Sequence, residues 1–196
     1  MLNVCTMSDT DLLSVMVGGR TAARLLRLAG GSLSVALNQS VAQYDAQPKV
    51  SLRLQVAKEL IRRSLLEPLR KRDALSSPTM VRDFLRITLA ERDYEVFMVL
   101  FLDAQNHVID CEEMFRGTLT QTSVYPREIV KRALFHNSAA VILCHNHPSG
   151  LEEPSRADET LTATLSRALA LVDVKVLDHF VVGTGSVLSF CERGLL

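Results

Sequence analysis

Two histidines two positions apart, His145 and His147, with Asp158 downstream, are the residues of this sequence best suited to chemistry. The histidines close the apolar run 139–143, in which Val141, Ile142 and Leu143 read as a strand buried on both faces. Side chains alternate along an extended chain, so His145 and His147 point to one side while Cys144 and Asn146 point to the other. Pro148-Ser149-Gly150 is a turn sequence. Beyond Pro154-Ser155, the apolar residues Leu161, Leu165, Ala168, Leu169 and Val172 recur near helical spacing, which puts Asp158 in the first turn of a helix. Two imidazoles and a carboxylate are the ligand set of a catalytic zinc site, which leaves the fourth position open to water. Each part also has a plainer reading. Ser155 followed three residues later by Asp158 is a helix cap whose carboxylate complements the dipole, and a His-x-His pair can be two satisfied core histidines. The conjunction of strand end, histidines, glycine turn and capped helix points to a metal.

Two look-alikes are set aside. The consecutive letters His145-Asn146-His147 are not the nuclease motif of that name, whose residues are dispersed through a finger. Zinc deaminases use His-x-Glu with a later Pro-Cys-x-x-Cys, and this sequence has no Cys-x-x-Cys. The stretch His145-Asn146-His147-Pro148-Ser149-Gly150, then Pro154-Ser155-Arg156-Ala157-Asp158, resembles the JAMM (MPN-plus) metalloprotease motif as carried by the bacterial RadC-like family. The similarity continues through Tyr94-Glu95-Val96-Phe97, Asp103, Gly117-Thr118, Pro126-Arg127-Glu128 and Asp178-His179, and covers roughly residues 77–196. It implies His145, His147 and Asp158 as zinc ligands, Glu95 as general base and acid, and Ser155 as hydrogen-bond donor to the oxyanion. By residue type alone, Glu95 reads as a charge on an exposed strand face, and Glu112 and Glu113 are rival bases. Asp178-His179 either orient a ligand from behind or are satisfied core groups. Cys144, pointing away from the histidines, reads as a small buried hydrophobe.

Around this stretch the elements are legible. Ser8 to Asp11 offers a cap before Leu12, and Thr21 opens a helix through Leu28 that Gly30-Gly31 ends. A longer helix starts at Ser51 and closes on Arg70-Lys71-Arg72, with Pro68 kinking or ending it. The polar stretch 73–78 marks a boundary between residues 1–76 and 77–196. After a helix over 79–90, Tyr94 to Leu102 and His107 to Ile109 form a hairpin about the turn 103–106, and 118–124 reads as a third strand. Pro126 opens a helix leading to the histidine strand. Strands over 174–182 and 187–190, joined at Gly183-Thr184-Gly185-Ser186, complete a mixed sheet flanked by helices. The expected class is α/β, by resemblance JAMM/MPN and cytidine-deaminase-like, with a small all-helical N-terminal part.

The sequence carries 22 Lys and Arg against 22 Asp and Glu, a balance that argues against a dedicated nucleic-acid binder. The balance hides an asymmetry. Residues 1–76 hold eleven basic and six acidic residues, and residues 77–196 hold eleven and sixteen. RadC-like proteins resemble helix-hairpin-helix proteins in this first part, and the hairpin falls near 42–49. The sequence there, Ala42-Gln43-Tyr44-Asp45-Ala46-Gln47-Pro48-Lys49, has no glycine to bring backbone N–H groups to phosphate, so the part reads as a degenerate form and DNA binding as its weaker use. Cys5, Cys111, Cys144 and Cys191 stand too far apart for a finger or a dense disulfide framework and read as reduced thiols. No basic leader and no apolar run of spanning length is seen, which reads as a cytoplasmic protein with no membrane partner. No heptad pattern indicates an oligomeric state. The expected function is a zinc-dependent metallohydrolase acting on amide or isopeptide bonds of a peptide or protein. The competing expectations are a DNA-repair-associated nucleic-acid-binding protein and a non-catalytic MPN interaction module.

Overall fold

A computed structural model of the chain describes residues 4–38, 48–90, 92–117 and 124–196. The chain divides into two compact units, Met1–Arg63 and Ser64–Leu196. In the first unit, Ser8 caps α1 (Asp9–Val17) by accepting from the Asp11 backbone N–H. Gly18, at a φ of 86° that favours glycine, turns the chain into α2 (Gly19–Leu28), two residues earlier than Thr21 suggests. With α3 (Leu33–Asn38) and the start of α4 (Pro48–Leu69), these helices bury Leu13, Val17, Ala22, Leu25, Val50 and Leu54. Pro68 sits one residue before the end of α4, which stops short of Arg70. Residues 42–47 of the expected hairpin lie outside the described residues.

The polar stretch before Pro78 lies inside the second unit, because Leu66, Leu69 and Ala74 are already buried in that unit's core. There, α5 (Pro78–Leu89) precedes β1 (Val96–Leu102) and β2 (Val108–Arg116), then come α6 (Pro126–Phe135), β3 (Ala140–Asn146), α7 (Arg156–Ala170), β4 (Lys175–Val182) and β5 (Val187–Ser189). Of the expected third strand over 118–124, residues 118–123 lie outside the described residues. The sheet is mixed, in the order β2-β1-β3-β4-β5, with β3 and β4 parallel and every other pair antiparallel. The parallel pair is joined through α7, the crossover that such a pair requires.

Alternation divides the central strands between two apolar layers. Val96, Met98, Leu100, Ile142 and Cys144 pack with Phe84, Leu85 and Leu89 of α5. Phe97, Val99, Phe101, Val141 and Leu143 pack with Ile129 and Ala133 of α6 and Leu165 and Leu169 of α7. Both faces of β1 and β3 are therefore dry, and both strands are buried along their whole length. His145 shares the α7 side with Val141 and Leu143, so the helix that carries Asp158 lies on the side to which the histidine points.

Candidate metal centre

The strand hands its histidines to a turn held on both sides. His147 N–H donates to the Val182 carbonyl, Gly150 N–H to the His147 carbonyl, and Thr184 N–H to the Gly150 carbonyl. Gly150 has a φ of 81°, and a Cβ there would come within 2.4 Å of the Thr184 hydroxyl, so a side chain is excluded twice over. The turn ends at α7, where Ser155 and Asp158 form the capping box expected from the sequence. Asp158 N–H donates to Ser155 Oγ (3.2 Å), while Asp158 Oδ2 accepts from Ser155 N–H and from Ser155 Oγ, each at 2.7 Å.

The cap aims Asp158 at the histidines. His145 Nε2 and His147 Nε2 are 3.0 Å apart, Asp158 Oδ1 is 3.5 Å from the first, and Asp158 Oδ2 is 3.6 Å from the second. Three donors around a tetrahedral zinc, with bonds of 2.0–2.1 Å, are separated by about 3.3 Å. The observed spacings bracket that edge. His145 is sealed (1% exposed), whereas Asp158 (14%) and His147 (19%) reach solvent, so the centre opens on one side.

Hydrogen bonds fix which nitrogens carry protons. The Thr162 hydroxyl lies 2.6 Å from the Asp158 backbone carbonyl, which can only accept, so its hydrogen is spent there. Thr162 Oγ1 must then accept from His179 Nδ1 at 2.6 Å, which leaves His179 Nε2 bare to accept from His145 Nδ1 at 2.8 Å. His147 Nδ1 donates to the Leu151 carbonyl at 2.8 Å. With both rings neutral, the Nε2 atoms that face each other are lone pairs beside a carboxylate. Three such donors crowded together repel one another unless a cation lies between them, and the donor set therefore fits a metal ion.

Electrostatics agree. Burial pulls the His145 imidazole down to about 4 and His179 well below the usual range, so both stay neutral. Burial opposes the charge on Asp158, but His147 and His145 hold its carboxyl below the usual range. His147 is raised, chiefly by Asp158 and in smaller part by the charge of Glu95. Without a cation, a proton on His147 meets the same negative field.

Glu95 stands half-buried at the entry to β1, near enough for its charge to reach His147. The rival glutamates are engaged elsewhere. Glu112 is bound by Arg132 and by His136 (2.7 Å), and Glu113 by Arg92 at 2.6 Å. Asp110, Glu112 and His136 also cluster at metal-ligand spacing, but the Arg132 guanidinium already neutralises Glu112, so this group reads as an ion-pair network. Cys144 is buried on the α5 side and its thiol donates to the Met98 carbonyl, away from the centre.

Asp178 and His179 divide the two roles open to them. His179 orients His145, while Asp178 accepts from the Ser189 hydroxyl and from the backbone N–H groups of His179 and Cys191, which braces the β4–β5 corner. Thr162 is the participant that sequence reasoning missed. Its signal was position, one turn beyond Asp158 on the same helix face. Thr162→Val removes the acceptor that fixes the His179 tautomer, and zinc affinity is expected to fall about 10–100-fold in competition with a chromophoric chelator. Unchanged affinity would detach the relay from the metal.

A mixed sheet whose buried strand presents two histidines to an aspartate on the next helix defines a JAB-type domain. The chain belongs to the RadC-like family: residues 75–195 match the family described as RadC-like JAB domain. It is also similar to proteins known as UPF0758. That of Nitrosomonas eutropha is 49% identical over 201 residues, covering 97% of this chain and 90% of the relative. That of Leptothrix cholodnii is 50% identical over 206 residues, covering 100% and 93%. That of Thiobacillus denitrificans is 63% identical over 143 residues, covering 73% and 64%. Among the described residues no helix is long and apolar enough to cross a membrane.

Proposed function

We propose that the chain is a zinc-dependent metallohydrolase that cleaves amide or isopeptide bonds in a peptide or protein. The observation that carries this reading is the convergence of His145 Nε2, His147 Nε2 and the Asp158 carboxylate, 3.0–3.6 Å apart, in a centre that reaches solvent past His147 and Asp158. A zinc ion held by His145, His147 and Asp158 would supply Lewis acidity and a water ionised near neutral pH. Glu95 would take a proton from the attacking water and return it to the leaving amine. Ser155, whose hydroxyl now steers Asp158, would turn to donate to the oxyanion once the cation draws on that carboxylate.

Substrate would enter past His147 and Asp158. A groove of about 510 Å³ between the start of α6 and α7 is lined by Val124, Pro126, Arg156, Ala157, Thr160, Leu161 and Thr164. The test is elemental analysis of the purified chain together with a mixed peptide library digested by the zinc-loaded protein. About one zinc per chain and cleavage abolished by a chelator are expected. A chain that takes up no zinc on reconstitution is not a metallohydrolase.

A further inference from the structure

Asn146 stands between the two candidate ligands and points to the opposite side, where its carboxamide is engaged at both its oxygen and its nitrogen. Oδ1 accepts from the Val96 N–H at 2.8 Å, and Nδ2 donates to the Tyr94 carbonyl at 3.0 Å. These are the backbone groups on either side of Glu95. Main-chain pairing of β1 with β3 ends at Phe97 opposite His145. Beyond that point the Asn146 side chain joins the two strands, and Asn146 is only 2% exposed. The Glu95 carbonyl is taken up on the other side by Gly117 N–H at 2.8 Å. The backbone that presents Glu95 is thus held from both neighbouring strands.

We propose that Asn146 is the positioning residue of Glu95. It sets the distance between the proposed base and the metal ligands where the strands part, an inference that rests on the hydrolase reading above. The chemistry explains the residue type. The site must accept from an N–H and donate to a carbonyl at once, which a planar carboxamide does and an ionised carboxylate cannot. A buried amide with both partners satisfied is also rigid. Because Asn146 shares β3 with His145 and precedes His147, one strand end fixes the ligands on one face and the base through the other.

The test compares cobalt-loaded full-length wild type with Asn146→Ala, Asn146→Asp, Glu95→Gln and the Asn146→Ala/Glu95→Gln double variant. Metal content is read first, then the midpoint of the pH-dependent change in the cobalt visible bands, then kcat and KM on a cleaved peptide. Asn146→Ala is expected to keep about one metal per chain, to shift the midpoint in the same direction as Glu95→Gln, and to lower kcat on the order of 10²-fold with KM within about twofold. The double variant is expected to behave as Glu95→Gln alone, since a residue acting through Glu95 has nothing left to position. If Asn146→Ala fails to fold, Asn146→Asp, which keeps the bond to Val96 N–H, replaces it. An unmoved midpoint, or losses that multiply in the double variant, would overturn the proposal. If the wild type cleaves nothing, the hydrolase reading fails by itself, and the cobalt midpoint still decides for or against Asn146.

Discussion

His147→Ala is expected to lose both metal and turnover while the sheet stays folded. His147 gives the centre one of its three donors, and two remaining donors cannot close a zinc site of this kind. The loss of affinity therefore exceeds the about 10–100-fold that removal of an outer partner costs. His147 is a cleaner choice than His145. It lies at the start of a turn, 19% exposed, and outside the centre its ring donates from Nδ1 to the Leu151 carbonyl, a bond worth about 1 kcal/mol. His145 is sealed between Phe97 and His179, so its removal also opens a cavity. Zinc at a hundred times its Kd would stabilise the wild type by about 2.7 kcal/mol, and this increment should vanish in the variant. Equilibrium dialysis with zinc, beside a thermal melt, reads both effects. Stoichiometric zinc in His147→Ala would remove this residue from the ligand set.

Glu95→Gln should separate binding from chemistry. The substitution keeps size and shape but takes away the proton acceptor, so zinc content and KM are expected to stay near those of the wild type while kcat falls about 10²–10⁴-fold. The structure makes this a pointed test, because Glu112 and Glu113 are already held by Arg132, His136 and Arg92 and cannot easily substitute. Single-turnover assays on a peptide cleaved by the wild type would show the loss in the chemical step. Turnover equal to wild type would free Glu95 of any role as base.

Much of this centre was legible in the sequence because its parts lie close together in it. Strand alternation placed His145 and His147 on one side and Cys144 on the other, and the Ser155-x-x-Asp158 spacing marked the start of α7; both are short-range rules. The same rules identified β1, β3 and β4 by their apolar runs. Long-range partners were harder to see. Asn146 meets the backbone about fifty residues earlier, and His179 reaches His145 only because β4 lies parallel to β3. Nothing in the local pattern of either residue announces its partner. The division of the chain eluded the composition for a related reason. A polar stretch ending at Pro78 looks like a linker, yet the end of α4 before it is fastened into the second unit's core by Leu66 and Leu69.

The tautomer relay also bears on the order of assembly. All three proposed ligands come from the single stretch His145–Asp158, so they can meet as soon as β3 and α7 have formed. Contacts so near in sequence close quickly. His179 arrives with β4, after the crossover is complete. An ion captured before then would meet a His145 whose ring is free to present either nitrogen, and would be held loosely. Docking of β4 locks Nε2 toward the ion. Zinc affinity followed during refolding would accordingly rise in two stages, with the second stage timing the moment when the parallel strand locks into the sheet.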